Sequence, residues 1–302
     1  MMRHPLSMTG PLLTLSLALL ASAPQAEEAT LAHGGLTLNA NLETASDAWQ
    51  QGPLVLMTHG TLAHGRMEIM ETLQGVLKDR GISSLSITLS LGLDKRQGMY
   101  DCATPHSHKH TDAVEEIGAW LGWLQSKGVK QAALLGHSRG GNQVARFAAG
   151  HPEPPLSAVI LVAPQTWSEE YAAADYQKRF GKDLAPLLEA ARRLQAEGKG
   201  REPMPPVGFV YCADTSATAD AFLSYHAPDP RMDTPALIPE IKAPVLVVAG
   251  TEDDAVPGLV EKVEPQADGE RVTLLVLDGA DHFFRDLYAE EIADAVQALL
   301  GG

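Results

Sequence analysis

Short apolar runs recur along the chain from residue 53 onward. Runs of four to six apolar residues without polar alternation are typical of parallel strands that are covered on both faces. Residues 36–42 instead alternate apolar and polar positions, which predicts an outer antiparallel strand with one face in water. The predicted buried strands are residues 54–57, 85–89, 132–135, 158–163, 245–249 and 272–277.

Helical patterns lie between most of these runs. They cover residues 66–79, 112–126 and 141–149, and a last one at residues 287–300 closes the chain. Repeated alternation of strand and helix implies right-handed crossovers. The sequence therefore predicts the α/β class, with a doubly wound, mostly parallel sheet.

One interval, residues 165–242, separates two predicted strands by far more than a single crossover helix requires. It is rich in charge and proline, and residues 171–180 and 184–197 have helical patterns within it. A segment of this kind is more typical of a folded insertion than of a disordered linker. We predict a helical cap at the carboxyl edge of the sheet.

Residues 1–26 resemble a targeting segment. Arg3 and His4 precede a leucine-rich run at residues 10–21 that is short for a membrane span, and small residues follow it. We interpret this segment as a secretory signal that is cleaved after Ala26, which predicts a secreted or periplasmic protein without stable membrane insertion. A short uncleaved membrane anchor is the alternative.

The composition and net charge limit the kinds of molecule that the protein can bind. The 302 residues are 45% hydrophobic and 20% charged, which is enough apolar material for one large domain or two smaller ones. The formal net charge of −15 would repel a phosphate backbone, so we expect no nucleic-acid partner. The only two cysteines, Cys102 and Cys212, form either a disulfide in an oxidising compartment or two separate buried thiols.

The run Gly136-His137-Ser138-Arg139-Gly140 lies between an apolar run and a helical pattern rich in small residues. A Gly-x-Ser-x-Gly turn leaves a strand and enters a helix so sharply that the flanking positions exclude bulky side chains. Such a turn exposes the serine at the strand end, next to the N-terminal dipole of the helix. Ser138 is therefore predicted to be a nucleophile, and a tight structural turn is the alternative.

A serine nucleophile needs a base, and the base needs a group that orients it. Asp253 and Asp254 follow the predicted strand 245–249, and His282 follows the strand 272–277. Because both segments start at strand ends, their side chains can reach the edge where Ser138 emerges.

With these residues in this order, the chain resembles the α/β-hydrolase superfamily, whose members place nucleophile, acid and histidine in the same sequence. The resemblance assigns these roles to Ser138, Asp253 and His282, with Asp254 as a rival acid. It also covers His59-Gly60-Thr61 after the first buried strand, where the family commonly has an oxyanion donor. The implied oxyanion hole consists of the backbone N–H groups of Thr61 and Arg139.

The resemblance implies that residues 27–302 form an α/β-hydrolase domain with the cap at residues 165–242. It implies a serine hydrolase that cleaves a small-molecule carboxylic ester through an acyl-enzyme, with no metal or organic cofactor. A thioesterase, an amidase or peptidase with the same triad, or a non-catalytic binding protein on the same fold are the alternatives. A serine at the turn differs from the aspartate of the dehalogenase branch and from the cysteine of dienelactone hydrolases.

Several histidines and aromatic residues lie outside the predicted triad. His106, His108 and His110 alternate along the chain, and alternating histidines can bind zinc or copper. Because no clear carboxylate or thiolate partner is found, we favour a polar loop over a metal site. His137 is assigned to packing and His59 to shaping the oxyanion loop. Trp120 and Trp123 are expected in the core, and the candidates to line a substrate cavity are Trp167, Met99, Tyr100, Phe222 and Tyr225.

The side chain of Arg139 has two interpretations. It forms a salt bridge beneath the turn, or it faces an anionic substrate. We favour the salt bridge, because a buried arginine needs a partner.

Overall fold

A computed structural model of the protein describes residues 1–2, 26–153 and 156–301. Most of the predicted signal segment, residues 3–25, lies outside them. Ten strands are described: β1 (Glu27–His33), β2 (Leu36–Glu43), β3 (Leu54–Thr58), β4 (Ser83–Thr88), β5 (Ala133–His137), β6 (Val159–Val162), β7 (Val207–Phe209), β8 (Cys212–Thr215), β9 (Val245–Gly250) and β10 (Val272–Leu277).

Eight strands form one sheet in the order β1-β2-β4-β3-β5-β6-β9-β10. All neighbours from β4 to β10 are parallel, whereas β1 and β2 are added antiparallel at one end. Every residue of β3, β5 and β6 is buried, which requires cover on both faces of the sheet. The predicted α/β class with a mostly parallel sheet is confirmed.

Strand β2 differs from its prediction in two respects. It is antiparallel as expected, but β1 pairs outside it and forms the edge. Its polar face is not in water, because Asn39 and Asn41 are buried. Asn41 donates a hydrogen bond to Gln74, and Asn39 donates to the carbonyl of Arg96. Side-chain amides thus satisfy a polar face that neighbouring segments cover.

The helices agree with the predicted ones to within three residues where a prediction existed. Helices α1 and α9 pack against each other, as do α2 and α3, and α3 also contacts α7. The described helices are α1 (Glu68–Asp79), α2 (Asp112–Ser126), α3 (Arg139–Gly150), α4 (Glu169–Phe180), α5 (Leu184–Ala196), α6 (Ala219–His226), α7 (Thr234–Leu237), α8 (Leu259–Val263) and α9 (Tyr288–Leu299). Within the described ranges, no helix has both the length and the apolar character needed to span a bilayer.

The interval between β6 and β9 contains more than the two predicted helices. The short hairpin β7–β8 follows α5, and α6 then packs against α5. The end of the interval belongs to the body of the fold, because Asn142 of α3 donates to the carbonyl of Arg231 and to Thr234. The part that covers the sheet edge therefore runs from α4 to α6.

Cys102 and Cys212 are joined by a disulfide. The bond ties the loop after β4 to β8 in the insertion, across a sequence separation of 110 residues. Backbone hydrogen bonds support the same junction, since the N–H of His106 donates to the carbonyl of Ser216 and Thr218 donates to His106. The disulfide therefore fastens the insertion to the sheet.

Removing this bond is expected to destabilise the protein. Closing a loop of this length stabilises the native state by up to ~4 to 5 kcal/mol in the chain-entropy model. We expect Cys102→Ala/Cys212→Ala to lower the free energy of unfolding in urea by up to that amount. Dithiothreitol should lower the wild-type midpoint to a similar value and leave the double variant unchanged. If thiol titration shows full reduction and the wild-type midpoint has still not moved, the expectation is contradicted.

Candidate active site

The turn between β5 and α3 presents Ser138 at the carboxyl edge of the sheet. Ser138 has φ 56° and ψ −123°, a conformation that residues with side chains rarely adopt. The two glycines of the turn make it feasible: a Cβ at Gly136 would collide with the carbonyl of Gly140, and one at Gly140 would collide with the carbonyls of Thr58 and His59. The backbone thus holds the half-buried hydroxyl in one position at the sheet edge.

The structure brings His282 and Asp253 to this serine. Nε2 of His282 lies 2.9 Å from Oγ of Ser138, and its Nδ1 lies 2.7 Å from Oδ2 of Asp253. The Asp253 side chain is 1% exposed and the His282 side chain 15%. The other carboxylate oxygen of Asp253 accepts a hydrogen bond from the N–H of Ala255. Asp254, the rival acid, is exposed, and the imidazole is bonded to Asp253 instead.

His137 contributes more than the packing that was assigned to it. Its Nε2–H donates to the backbone carbonyl of His282 at 2.8 Å, and the two rings lie 4.9 Å apart. Burial lowers the pKa of His137 to about 4, so the ring is neutral at pH 7 and donates from one nitrogen. This bond fixes the loop that carries His282.

The residues proposed for an oxyanion hole lie on both sides of Ser138. In the described part of the chain, the N–H groups of Thr61 and Arg139 donate to no backbone or side-chain acceptor. A Cβ at Gly60, before Thr61, would lie only 3.2 Å from Cβ of Ser138, so this loop packs closely on the turn. Two free donors near a nucleophile are the arrangement that a developing oxyanion requires.

His59 shapes this loop, as expected. Its Nε2 accepts a hydrogen bond from the N–H of Leu89, so its Nδ1 carries the proton and donates to the carbonyl of Gly60. Burial, together with the neighbouring Arg96, holds the pKa of His59 well below its ordinary value. The ring is therefore a neutral bridge between the loops after β3 and β4.

A cavity of about 140 Å³ opens beside Ser138, between the sheet edge and the insertion. Of the predicted lining residues, Trp167 and Tyr225 line it. Met99 is exposed, whereas Tyr100 and Phe222 belong to the core, so these three do not line this cavity.

One face of α4 supplies lining residues that the sequence analysis missed. Tyr171, Asp175 and Arg179 recur every four residues and all line the cavity, and Asp175 accepts a hydrogen bond from Arg179 at 2.6 Å. A periodic polar and aromatic face inside an insertion is the signal that could have identified them. From outside α4, Gln165, Thr166, Val210 and Tyr211 also contribute.

The side chain of Arg139 does not form the favoured salt bridge. Its Nε donates to Oγ1 of Thr61 at 3.0 Å, and its guanidinium lies over the ring of Tyr225 at 5.3 Å. Among the described residues no carboxylate pairs with it. The prediction failed because the insertion, not the sheet, surrounds this side chain.

The histidine run lies in a loop, as expected, but this loop is buried. His106, His108 and His110 are buried, because β7 and α6 cover them. His106 and His108 approach each other at 3.2 Å, and Nδ1 of His108 lies 2.8 Å from the Tyr225 hydroxyl. Within the described ranges, no three His, Cys, Asp or Glu side chains converge as metal ligands would. The run is part of the buried junction between the sheet and the insertion.

Burial keeps these histidines neutral. It lowers the pKa of His106 to about 4 and that of His108 to about 3, and it places the pKa of His110 well below the ordinary value. Both ring nitrogens of His110 are buried without a hydrogen-bond partner among the described residues.

Comparison with known proteins agrees with this architecture. The model of the alpha/beta hydrolase family matches residues 54–295. No curated protein sequence matches the chain. The solved structure of Est1E from Butyrivibrio proteoclasticus is 19% identical, with a TM-score of 0.61 over 91% of this chain and 99% of that one.

Two further solved structures are similar. Alpha/beta hydrolase GrgF from Penicillium sp. sh18 is 20% identical, with a TM-score of 0.66 over 91% of this chain and 98% of that one. A monoacylglycerol lipase from Paleococcus ferrophilus is 20% identical, with a TM-score of 0.58 over 87% and 98%. At these identities the likeness concerns the fold alone.

The buried histidines predict a loss of stability in acid. Their folded-state pKa values lie below the unfolded value near 6.5, so the unfolded chain takes up protons first as the pH falls. Their contribution to stability is complete above about pH 6.5 and is lost toward pH 4 and below, by up to about 1.4 kcal/mol per pH unit for each histidine. Urea unfolding at pH 7, 6, 5 and 4.5 measures this slope.

His110→Leu isolates one of these groups. Leucine removes the titrating ring and orphans no hydrogen bond to a described residue, so the acid slope should become shallower while stability at pH 7 is kept. His151→Gln, which removes an exposed imidazole, is the matched control and should keep the wild-type slope. Equal slopes in the wild type and His110→Leu would rule out this role for His110.

Proposed function

The chain belongs to the α/β-hydrolase family, as its motifs indicated, and on this premise we propose that it is an exported serine hydrolase that cleaves a carboxylic ester. The observation that carries the proposal is the hydrogen-bonded series Ser138–His282–Asp253, with 2.9 Å and 2.7 Å between its bonding atoms. Nucleophile, base and orienting acid are within bonding reach before any substrate binds.

The first half of the reaction forms an acyl-enzyme. Nε2 of His282 takes the proton of Ser138 as its Oγ attacks the ester carbonyl, and Asp253 stabilises the imidazolium through Nδ1–H. The N–H groups of Thr61 and Arg139 donate to the oxyanion. The tetrahedral intermediate collapses as the imidazolium gives its proton to the departing alcohol.

The second half releases the acid. His282 removes a proton from water, the hydroxide attacks the acyl carbonyl, and the same two N–H groups hold the second oxyanion. Collapse returns the proton to Oγ of Ser138 and frees the carboxylic acid. The His137 bond to the carbonyl of His282 keeps the imidazole in place throughout both halves.

The same triad can cleave thioesters and amides, because it does not select the leaving group. A panel of esters, thioesters and amides with one acyl group distinguishes these activities. A binding protein on this fold would not need the two short hydrogen bonds or the positive φ of Ser138, so these features favour an enzyme.

Export is supported by two observations. The leader pattern at residues 1–26 precedes the domain, and the Cys102–Cys212 bond requires an oxidising compartment to form and persist.

Substitution of the triad tests the catalytic proposal. Ser138→Ala and Asp253→Asn should each lower kcat/KM for 4-nitrophenyl butyrate by about 10³- to 10⁴-fold or more, with melting temperatures showing that both variants fold. Asp254→Asn is the matched control and should stay within about threefold of wild type. A fluorophosphonate probe should label wild type at Ser138.

Full activity in Ser138→Ala, or absence of labelling in folded wild type, would refute the catalytic proposal. Equal losses in Asp253→Asn and Asp254→Asn would refute the assignment of the acid.

Processing of the leader tests the export proposal. Full-length chain expressed in a Gram-negative host should appear in the osmotic-shock fraction with a mass that begins at Glu27. A chain that starts with Met followed by Glu27 is the control and should stay in the cytoplasm. An uncleaved full-length product in the membrane pellet would favour the anchor instead.

A further inference from the structure

The guanidinium of Arg139 lies in the active-site cavity with an unmatched charge. The residue follows the nucleophile in the chain, and both line the same cavity. Nε is occupied by Thr61, but neither terminal nitrogen has a hydrogen-bond partner among the described residues, and Nη1 is buried. Since a guanidinium stays protonated, it contributes a full positive charge there.

The groups around Arg139 do not neutralise it. The phenols of Tyr225 and Tyr211, the rings of His108, His110 and His226, and the guanidinium of Arg179 are its neighbours. Burial keeps the Tyr225 phenol and the three rings uncharged at pH 7, and Arg179 has the same sign as Arg139, so none of these groups supplies a negative charge. Burial lowers the pKa of Arg139, and only the two phenols oppose this lowering by favouring its charged form.

The other charges of the cavity cancel. Arg179 is the second cation, and Asp175 pairs with it on the same face of α4. Asp253 does not line this cavity. The cavity beside Ser138 therefore has a net charge of about +1 from Arg139 alone.

A structural role accounts for only part of this arrangement. The Nε bond positions Thr61, and the contact with Tyr225 stabilises the planar group. Neither contact uses the terminal nitrogens. Nη1 is buried, so Nη2 is the nitrogen that a substrate carboxylate can reach for a charge-assisted hydrogen bond. A buried cation without a partner destabilises a protein, whereas a substrate anion would complete its hydrogen bonds.

We propose that the substrate carries a carboxylate that pairs with Nη2 of Arg139, so that the hydrolase is selective for anionic esters such as half-esters of dicarboxylic acids. The inference rests on the proposed ester hydrolysis at Ser138. The cavity volume of about 140 Å³ favours short substrates.

Matched esters test this selectivity. The anionic series is mono-4-nitrophenyl succinate, glutarate and adipate, and the neutral series is their methyl-capped diesters. A second pair places the charge on the alcohol: 4-(butanoyloxy)benzoate against its amide. We expect wild type to favour at least one anionic ester over its neutral partner by about 10- to 100-fold in kcat/KM, mainly through KM.

Two variants assign the selectivity to a residue. In Arg139→Met the ratio of anionic to neutral kcat/KM should fall to near one, whatever the remaining activity. In the double variant Asp175→Asn/Arg179→Met, which removes the paired cation of the same cavity together with its carboxylate and keeps the net charge, the ratio should persist. As a readout that needs no variant, glutarate should inhibit wild type competitively and far more strongly than glutaramide.

The outcomes separate this inference from the proposed function. If wild type hydrolyses anionic and neutral esters equally, the carboxylate inference fails while the esterase proposal stands. A ratio that survives in Arg139→Met, or that is lost in Asp175→Asn/Arg179→Met instead, also overturns it. If no ester is hydrolysed and the fluorophosphonate does not label Ser138, both proposals fail.

Discussion

Close backbone packing at the turn between β5 and α3 is the constraint on which the site depends. No side chain fits at Gly136 or Gly140, because the carbonyls of the turn itself and of the β3 end occupy that space. The same contact presses the loop of Thr61 against Ser138 and holds the serine at a positive φ. One steric arrangement thus presents the Ser138 hydroxyl at the sheet edge and places the N–H groups of Thr61 and Arg139 beside it, and the surrounding sheet sustains the strain.

Burial by the insertion has opposite consequences for two kinds of side chain. Histidines such as His108 adapt to a covered position by losing their proton. The guanidinium of Arg139 does not, so it remains charged next to Ser138. The disulfide between Cys102 and Cys212 ties this covering segment to the loop after β4. The bond that stabilises the fold therefore also holds the segment that encloses Arg139.

Sequence patterns predicted most of the sheet because parallel central strands are apolar on both faces. Strand β1 escaped prediction, since its sequence EEATLAH is largely polar and it lies at the edge, where one side needs no cover. The face of β2 was misassigned for a related reason. Asn41 is buried because Gln74 of α1 and Arg66 satisfy its side-chain amide, and a pattern along one strand contains no information about those partners.

The order of the motifs was sufficient to indicate which residues form the site, because parallel strands end at one edge and carry Ser138, Asp253 and His282 there. The sequence favoured Asp253 over Asp254, and the hydrogen bond of His282 is to Asp253. Tertiary contacts alone decided the disulfide and the burial of the histidine run. They also decided the environment of Arg139, which the insertion encloses without supplying a carboxylate. Periodicity reports which face of an element is buried, whereas charge pairing depends on which distant segments meet, and that information lies in the packing.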